Sequence, residues 1–177
     1  MLIRKGTKLK DYISHGFYYF IYGFVKYVPA PLGDILRYLV LKVFLKKMGK
    51  CRIGEGVTIH FPYRLEIEKD VSLNEYCYLD AYGGICIRRG TRIGAHTKIL
   101  SSEHDFSQID LSVKFTDLVP GKVVIGENSY IGISAIILKG VRIGKNVIIA
   151  AGSVASRNIP DNTIVGGVPA TKIGKRE

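Results

Sequence analysis

The sequence predicts a mainly β chain wound as a parallel solenoid, and three observations carry that prediction. Isoleucine recurs every six residues at Ile125, Ile131, Ile137, Ile143 and Ile149. Gly126, Gly132 and Gly144 follow three of these isoleucines, and small or β-branched residues sit near the middle of most hexads. The pattern reappears upstream, with slips of phase, as Ile53–Ile59–Leu65, Ile67–Leu73–Leu79–Ile85 and Ile87–Ile93–Ile99. A period of six fits neither an amphipathic helix nor a simple alternating strand. It marks a short unit stacked on copies of itself. Three hexads close one triangular turn with an isoleucine inward on each side, and the glycine after each isoleucine is expected to permit the corner.

Taken in order, the chain divides unevenly. Residues 1–50 are basic and aromatic-rich, and Tyr12–Val25 is free of charge. That run is shorter than the roughly 18–20 apolar residues of a membrane span. PAPLGD follows, with Asp34 expected to cap a helix over Ile35–Met48. The solenoid domain is expected over 51–173, with 174–177 as a basic tail. Pro62 and Tyr63 mark a corner, and Glu66, Glu68, Lys69 and Asp70 suit a solvated face. Between Leu100 and Val124 the period vanishes into SSEHDFSQIDLSVKFTDLVPGKV. A loop of that length, ejected from a stack that resumes beyond it, points to function.

Composition narrows the classes. With 20 glycines, no tryptophan and 47% hydrophobic residues, the chain suits a glycine-cornered coil with a filled interior. The net charge is +11, and residues 1–50 carry +8 of it: ten Lys/Arg against Asp11 and Asp34. Such asymmetry suits an anionic surface. No nucleic-acid-reading module is present, so an anionic membrane surface is the better partner. Tyrosine-rich, lysine-flanked segments suit the headgroup boundary, although the same helices would also serve to cap the open end of the solenoid. Cys51, Cys77 and Cys86 lack metal or redox spacing. No signal peptide follows Met1–Lys10, so a reduced cytoplasmic protein is expected, peripheral to the inner face of the cytoplasmic membrane. Histidine–carboxylate spacings give no metal site.

The hexads, the interrupting loop with its histidine, and the ending IAAGSVASRNIPDNTIVGGVPATKIG resemble the hexapeptide-repeat acyltransferases over about Ile53 to Ile173. Within that family the chain looks like sugar O-acetyltransferases such as the galactoside and maltose enzymes, and like envelope-polysaccharide acetyltransferases. The resemblance implies a left-handed coil, a homotrimer with sites between subunits, acetyl-CoA as co-substrate and a glycan or glycolipid acceptor. It implies His104 as the catalytic base. It implies Asn74 for acceptor binding, with Asp80 and Tyr82 nearby; Tyr82 stands where the family has an aspartate. For acetyl-CoA it implies Tyr130, where the galactoside enzyme has tryptophan, the backbone around Ile133 and Ala151, and Ser156, Arg157 and Lys172. Thr171 replaces the family's usual basic residue before Lys172. Acetylation of a free sugar or xenobiotic, N-acylation of a nucleotide-linked amino sugar, and a non-catalytic scaffold remain open alternatives. A γ-class carbonic anhydrase needs three zinc-binding histidines, and His60, His96 and His104 do not match that pattern.

Overall fold

The computed structural model of the chain describes residues 9–107 and 109–177. Three parallel sheets form the sides of a triangular coil. The first side stacks Lys47–Met48, Leu65–Ile67, Ile85–Ile87, Val123–Ile125 and Arg142–Ile143. The second stacks Arg52–Ile53, Ser72–Leu73, Arg92–Ile93, Tyr130–Ile131, Ile148–Ile149 and Thr163–Gly166. The third stacks Thr58–His60, Tyr78–Asp80, Lys98–Leu100, Ile136–Ile137 and Val154–Ala155. A return strand, Thr171–Lys175, pairs antiparallel with Thr163–Gly166.

Register places like residues over like. Ile53, Leu73, Ile93, Ile131, Ile149 and Val165 form one column, and Ile59, Leu79, Ile99, Ile137 and Ala155 another. Ile67, Ile87, Ile125 and Ile143 form the third. All of these side chains are buried. The repeating isoleucines therefore build the core, since each removes its branched side chain from water and packs on the one above. The slips of phase have a simple origin. Leu65, Ile85 and Val123 pair with one another two residues ahead of Ile67, Ile87 and Ile125, and are also fully buried. Residues two apart on a strand share a face, so the first side carries two inward positions per coil in these turns.

The glycines after the isoleucines do a different job from the one expected. Gly126, Gly132 and Gly144 do not adopt positive φ. A Cβ on Gly126 would lie 2.3 Å from the Gly144 carbonyl oxygen, and one on Gly132 would lie 2.5 Å from the Ala151 nitrogen. These glycines let successive coils approach. The left-handed corner residues come two places later, at Asn128, Ser134 and Asn146. The side chains of Asn128, Asn146 and Asn162 form a ladder, each amide donating to the next at 2.9 and 2.8 Å.

Two helices close one end of the coil: α1 at Leu9–Val25 and α2 at Leu32–Phe44. α2 begins three residues before the expected start, and Lys47–Met48 is already strand. Asp34 does not cap it; Pro31 holds that position without a side-chain hydrogen bond. The Asp34 carboxylate instead accepts from Arg37 at 2.6 Å and Arg52 at 2.9 Å. Burial pushes its pKa up, but these guanidinium bonds outweigh burial and hold it below the usual carboxylate value. Arg37 is fully buried and also donates to the Ile53 and Val28 carbonyls at 2.9 and 2.7 Å. Tyr22 Oη donates to the Val57 carbonyl at 3.0 Å. The helices thus occupy carbonyls of the first coil, which satisfies buried backbone that has no coil above it. These contacts hold both helices against the first coil.

Candidate active site

The polar interruption is an arm rather than a structureless loop. Ser102–His104 pairs antiparallel with Leu118–Pro120, with His104 opposite Leu118. The arm leaves the corner between the third and first sides, and its root is clamped. Gly121 N–H donates to the Ser101 carbonyl at 2.8 Å, and Ser101 Oγ donates to the Asp80 carbonyl at 2.6 Å. Gly83 permits this close approach, because a Cβ there would lie 2.2 Å from the Ser101 carbonyl oxygen. Lys139 of a later coil pairs with Glu103 at 2.9 Å.

His104 is half-buried at the end of the first arm strand. Its Nδ1 lies 3.1 Å from Thr116 Oγ1, and Thr116 Oγ1 lies 2.9 Å from the Val113 carbonyl oxygen. A threonine hydroxyl has one proton. Donated to Val113, that proton leaves Thr116 Oγ1 as an acceptor, so Nδ1 carries the imidazole hydrogen. The lone pair of neutral His104 then lies on Nε2. Thr116 itself is buried. No spacing rule points to Thr116, because it reaches His104 only through the pairing of the arm. Asp105 Oδ1 is engaged within its own turn, accepting from Ser107 N and Oγ at 2.9 and 2.7 Å.

The other expected site residues fall into two groups on opposite edges of the third side. On the arm's corner, Asp80 Oδ2 accepts from Ser102 Oγ at 2.6 Å, and Asp80 Oδ1 accepts from the Tyr82 N–H at 3.2 Å. The Tyr82 ring lies under the Arg64 guanidinium, 5.1 Å away, and edge-on to Phe61. Ser156 and Arg157 are exposed on the same corner, immediately after Val154–Ala155. On the opposite edge, Asn74 leaves the strand Ser72–Leu73, and its Oδ1 is buried without a hydrogen-bond partner. Ile133 and Ala151 occupy successive corners there, with Gly152 N–H donating to the Ile133 carbonyl at 2.8 Å. Tyr130 projects from the second side, 40% exposed. Lys172 lies on the return strand, paired with Val165. One chain therefore carries Asp80, Tyr82, Ser156 and Arg157 on the corner from which the His104 arm leaves, and Asn74, Ile133 and Ala151 on the opposite edge.

Burial pushes the Cys51 and Cys77 thiols up to about 12, which leaves them protonated and poor nucleophiles. Among the described residues no group of histidine, cysteine and carboxylate side chains is placed to hold a metal ion.

The bacterial transferase hexapeptide (six repeats) model matches residues 122–156. A Schizosaccharomyces pombe protein provisionally named an acetyltransferase is 31% identical over 152 residues, covering 84% of this chain and 72% of the relative. The chain belongs to the hexapeptide-repeat acyltransferases. This acyltransferase is also 26% identical over 177 residues to an Escherichia coli protein with the provisional name lipopolysaccharide biosynthesis O-acetyl transferase, covering 89% of this chain and 90% of that protein. In three dimensions it is similar to a hexapeptide-repeat containing acetyltransferase of Vibrio cholerae, solved in complex with acetyl coenzyme A. The TM-score is 0.87 at 19% identity, covering 99% of this chain and 93% of that one. The acyltransferase shares that fold, a left-handed parallel β-helix.

Proposed function

We propose that this acyltransferase moves an acetyl group from acetyl-CoA to a sugar hydroxyl of a glycan or glycolipid precursor of the cell envelope, with His104 as general base. The observation that carries the proposal is the Thr116 contact, which fixes the Nδ1–H tautomer and leaves Nε2 free to accept a proton. An alcohol is a poor nucleophile near neutral pH, and an imidazole is suited to remove its proton. Nε2 takes the hydroxyl proton as the sugar oxygen bonds to the thioester carbonyl carbon. The tetrahedral intermediate then expels the sulfur, the C–S bond breaks, and the imidazolium returns its proton to the CoA thiolate. No acyl-enzyme is required, which agrees with the protonated Cys51 and Cys77 thiols.

Acetyl-CoA fits the edge that carries Ile133 and Ala151, where small residues leave backbone accessible to a thin pantetheine arm. Lys172 is an exposed cation available to its phosphates, and Arg157, on the arm's corner, is assigned to reach them from the neighbouring subunit. Because that edge and the His104 arm stand on opposite sides of one chain's third sheet, we assign the complete site to the cleft between neighbouring subunits of a homotrimer. Phe106, Ile109 and Phe115 are 64%, 92% and 67% exposed on the arm, an apolar surface suited to cover by a second subunit. The Escherichia coli relative's name, a lipopolysaccharide biosynthesis O-acetyl transferase, supports a glycan-type acceptor, and Asn74, Asp80 and Tyr82 are the residues assigned to hold it.

The test is transfer of labelled acetyl from acetyl-CoA to lipid and glycan extracts of the native envelope, by wild type and His104→Ala. Labelled glycan ester formed by wild type alone supports the proposal. Label in an amide, or activity of the variant within a few-fold of wild type, overturns it.

A further inference from the structure

The helical cap has a second face that the fold does not use. On α1 the inward side chains Tyr18 and Tyr22 are 1% and 3% exposed, whereas Phe17, Phe20 and Phe24 are 58%, 64% and 69% exposed. On α2, Gly33, Arg37 and Leu41 are buried, whereas Leu32, Ile35, Leu39 and Val43 are each more than half exposed. Spacings of three and four put each exposed set on one stripe, opposite the buried one. α1 and α2 pack side by side, with Phe17 and Tyr18 ring centroids 6.2 and 5.4 Å from that of Phe44. Both inner faces bond to the first coil, so both stripes point outward from the end of the rod.

Water-facing phenylalanine, leucine and valine in a continuous band mean an interaction surface. The charge around it selects the partner. Residues 1–50 carry ten Lys/Arg against Asp11 and Asp34. The Asp34 carboxylate is taken by Arg37 and Arg52. Lys42, Lys47 and Lys50 are exposed near the end of α2, where Lys46 is paired with Glu66 at 2.7 Å, and Arg4, Lys5 and Lys8 precede α1 in sequence. Apolar and aromatic side chains bordered by lysines match a surface with an acyl interior and anionic headgroups. Among the described residues no helix is long and apolar enough to cross a membrane, so the helices would lie in the plane of the interface. We propose that the outer face of the α1–α2 cap docks this enzyme on an anionic lipid bilayer, with the phenylalanine and leucine stripes inserted at the headgroup boundary and the flanking lysines on lipid phosphates. The coil axis then runs away from the membrane. This inference goes beyond the acetyl-transfer reading and does not depend on it, because lipid binding is read without the reaction.

The test is co-sedimentation of the full chain with phosphatidylcholine vesicles, with and without phosphatidylglycerol, at low and high salt. Wild type should pellet with the anionic vesicles, bind neutral ones less, and weaken with salt without release, because salt screens the lysines but not the apolar insertion. Replacing Phe20, Phe24 and Leu39 by serine together should reduce anionic-vesicle binding by about tenfold or more, with melting and particle size unchanged. Lys42→Glu with Lys50→Glu should reduce binding to anionic vesicles only. Absence of wild-type binding to anionic vesicles at low salt overturns the proposal, and this arm requires no variant. If wild type fails to bind and the serine variant changes particle size, the face is a contact between copies of the chain, which also overturns it.

Discussion

The isoleucine stack and the His104 arm are both made of short strands, yet they are held in opposite ways. In the stack each strand borrows its burial from the coil above and below, and Ile53, Ile59, Ile93, Ile99, Ile131 and Ile137 have no exposed surface. The arm's two strands pair with each other and are tied to the stack through Glu103–Lys139 and Ser102–Asp80, while Phe106, Ile109, Leu111, Val113 and Phe115 face outward. The stack therefore supplies stability and a fixed address, while the arm carries His104, the proposed base, at the end of a lightly held strand. A change in one region should move stability and leave the chemistry readable; a change in the other should do the reverse.

Ile137→Asp should break the stack outright. It would put an unpaired carboxylate into a fully buried column, at a cost of at least ~4 kcal/mol. Loss of the cooperative melting transition and of soluble protein is expected; normal melting would show that position 137 tolerates charge and that the column is not continuous. His104→Ala should produce the complementary result, with acetyl transfer down by about 10²–10⁴-fold and the melting temperature unchanged. Gly132→Ala is a finer probe of the stack. A Cβ there would lie 2.5 Å from the Ala151 nitrogen, so a loss of about 1–3 kcal/mol is expected in denaturant unfolding. Stability equal to wild type would mean that the coils separate freely at this point.

Thr116→Val sharpens the account of the arm. It preserves shape and removes the acceptor of the His104 Nδ1–H, so turnover should fall about tenfold with acetyl-CoA affinity unchanged. Thr116→Ser should recover most of it; equal loss in the serine variant would mean that the methyl group, rather than the hydroxyl, positions the ring. The smallest effect lies at the junction of cap and stack. Burial lowers the His60 pKa, with Asp80 acting against this and Lys26 adding to it. Below about pH 6.5 the unfolded chain takes up this proton more readily than the folded one. His60 therefore contributes stability that is present above that pH and lost as pH falls through its lowered folded value. Melting between pH 7 and 5 should show a modest decline that His60→Gln lessens.

The parts legible in sequence were those whose cause repeats. An inward isoleucine every sixth position is a one-dimensional signal, so the columns, the coil and the position of the interruption could be read directly. The glycines were visible but their role was not, because a close approach between Gly132 and Ala151 joins residues one coil apart. Asp34 looked like a cap because it stands ahead of an apolar run, but the buried Arg37 three residues on takes its carboxylate. The arm could be seen only as a gap in the period. Its strands have no alternating pattern, and the Ser102–Pro120 pairing spans a segment without repeats. Thr116 had no signal at all. Its contact with His104 exists only after the arm has folded back on itself.

The reversed final strand has a consequence for the company these molecules keep. A coil whose last turn ran in the same direction as the others would present the same parallel edge as every turn before it. Another chain's first coil could then continue it, and head-to-tail growth would lead to a fibre. Thr171–Lys175 runs antiparallel to Thr163–Gly166, so the second side no longer offers the repeat that an incoming parallel turn would copy. At the other end the two helices stand where such a turn would enter. Both ends of the described coil are thus flanked by something other than another coil.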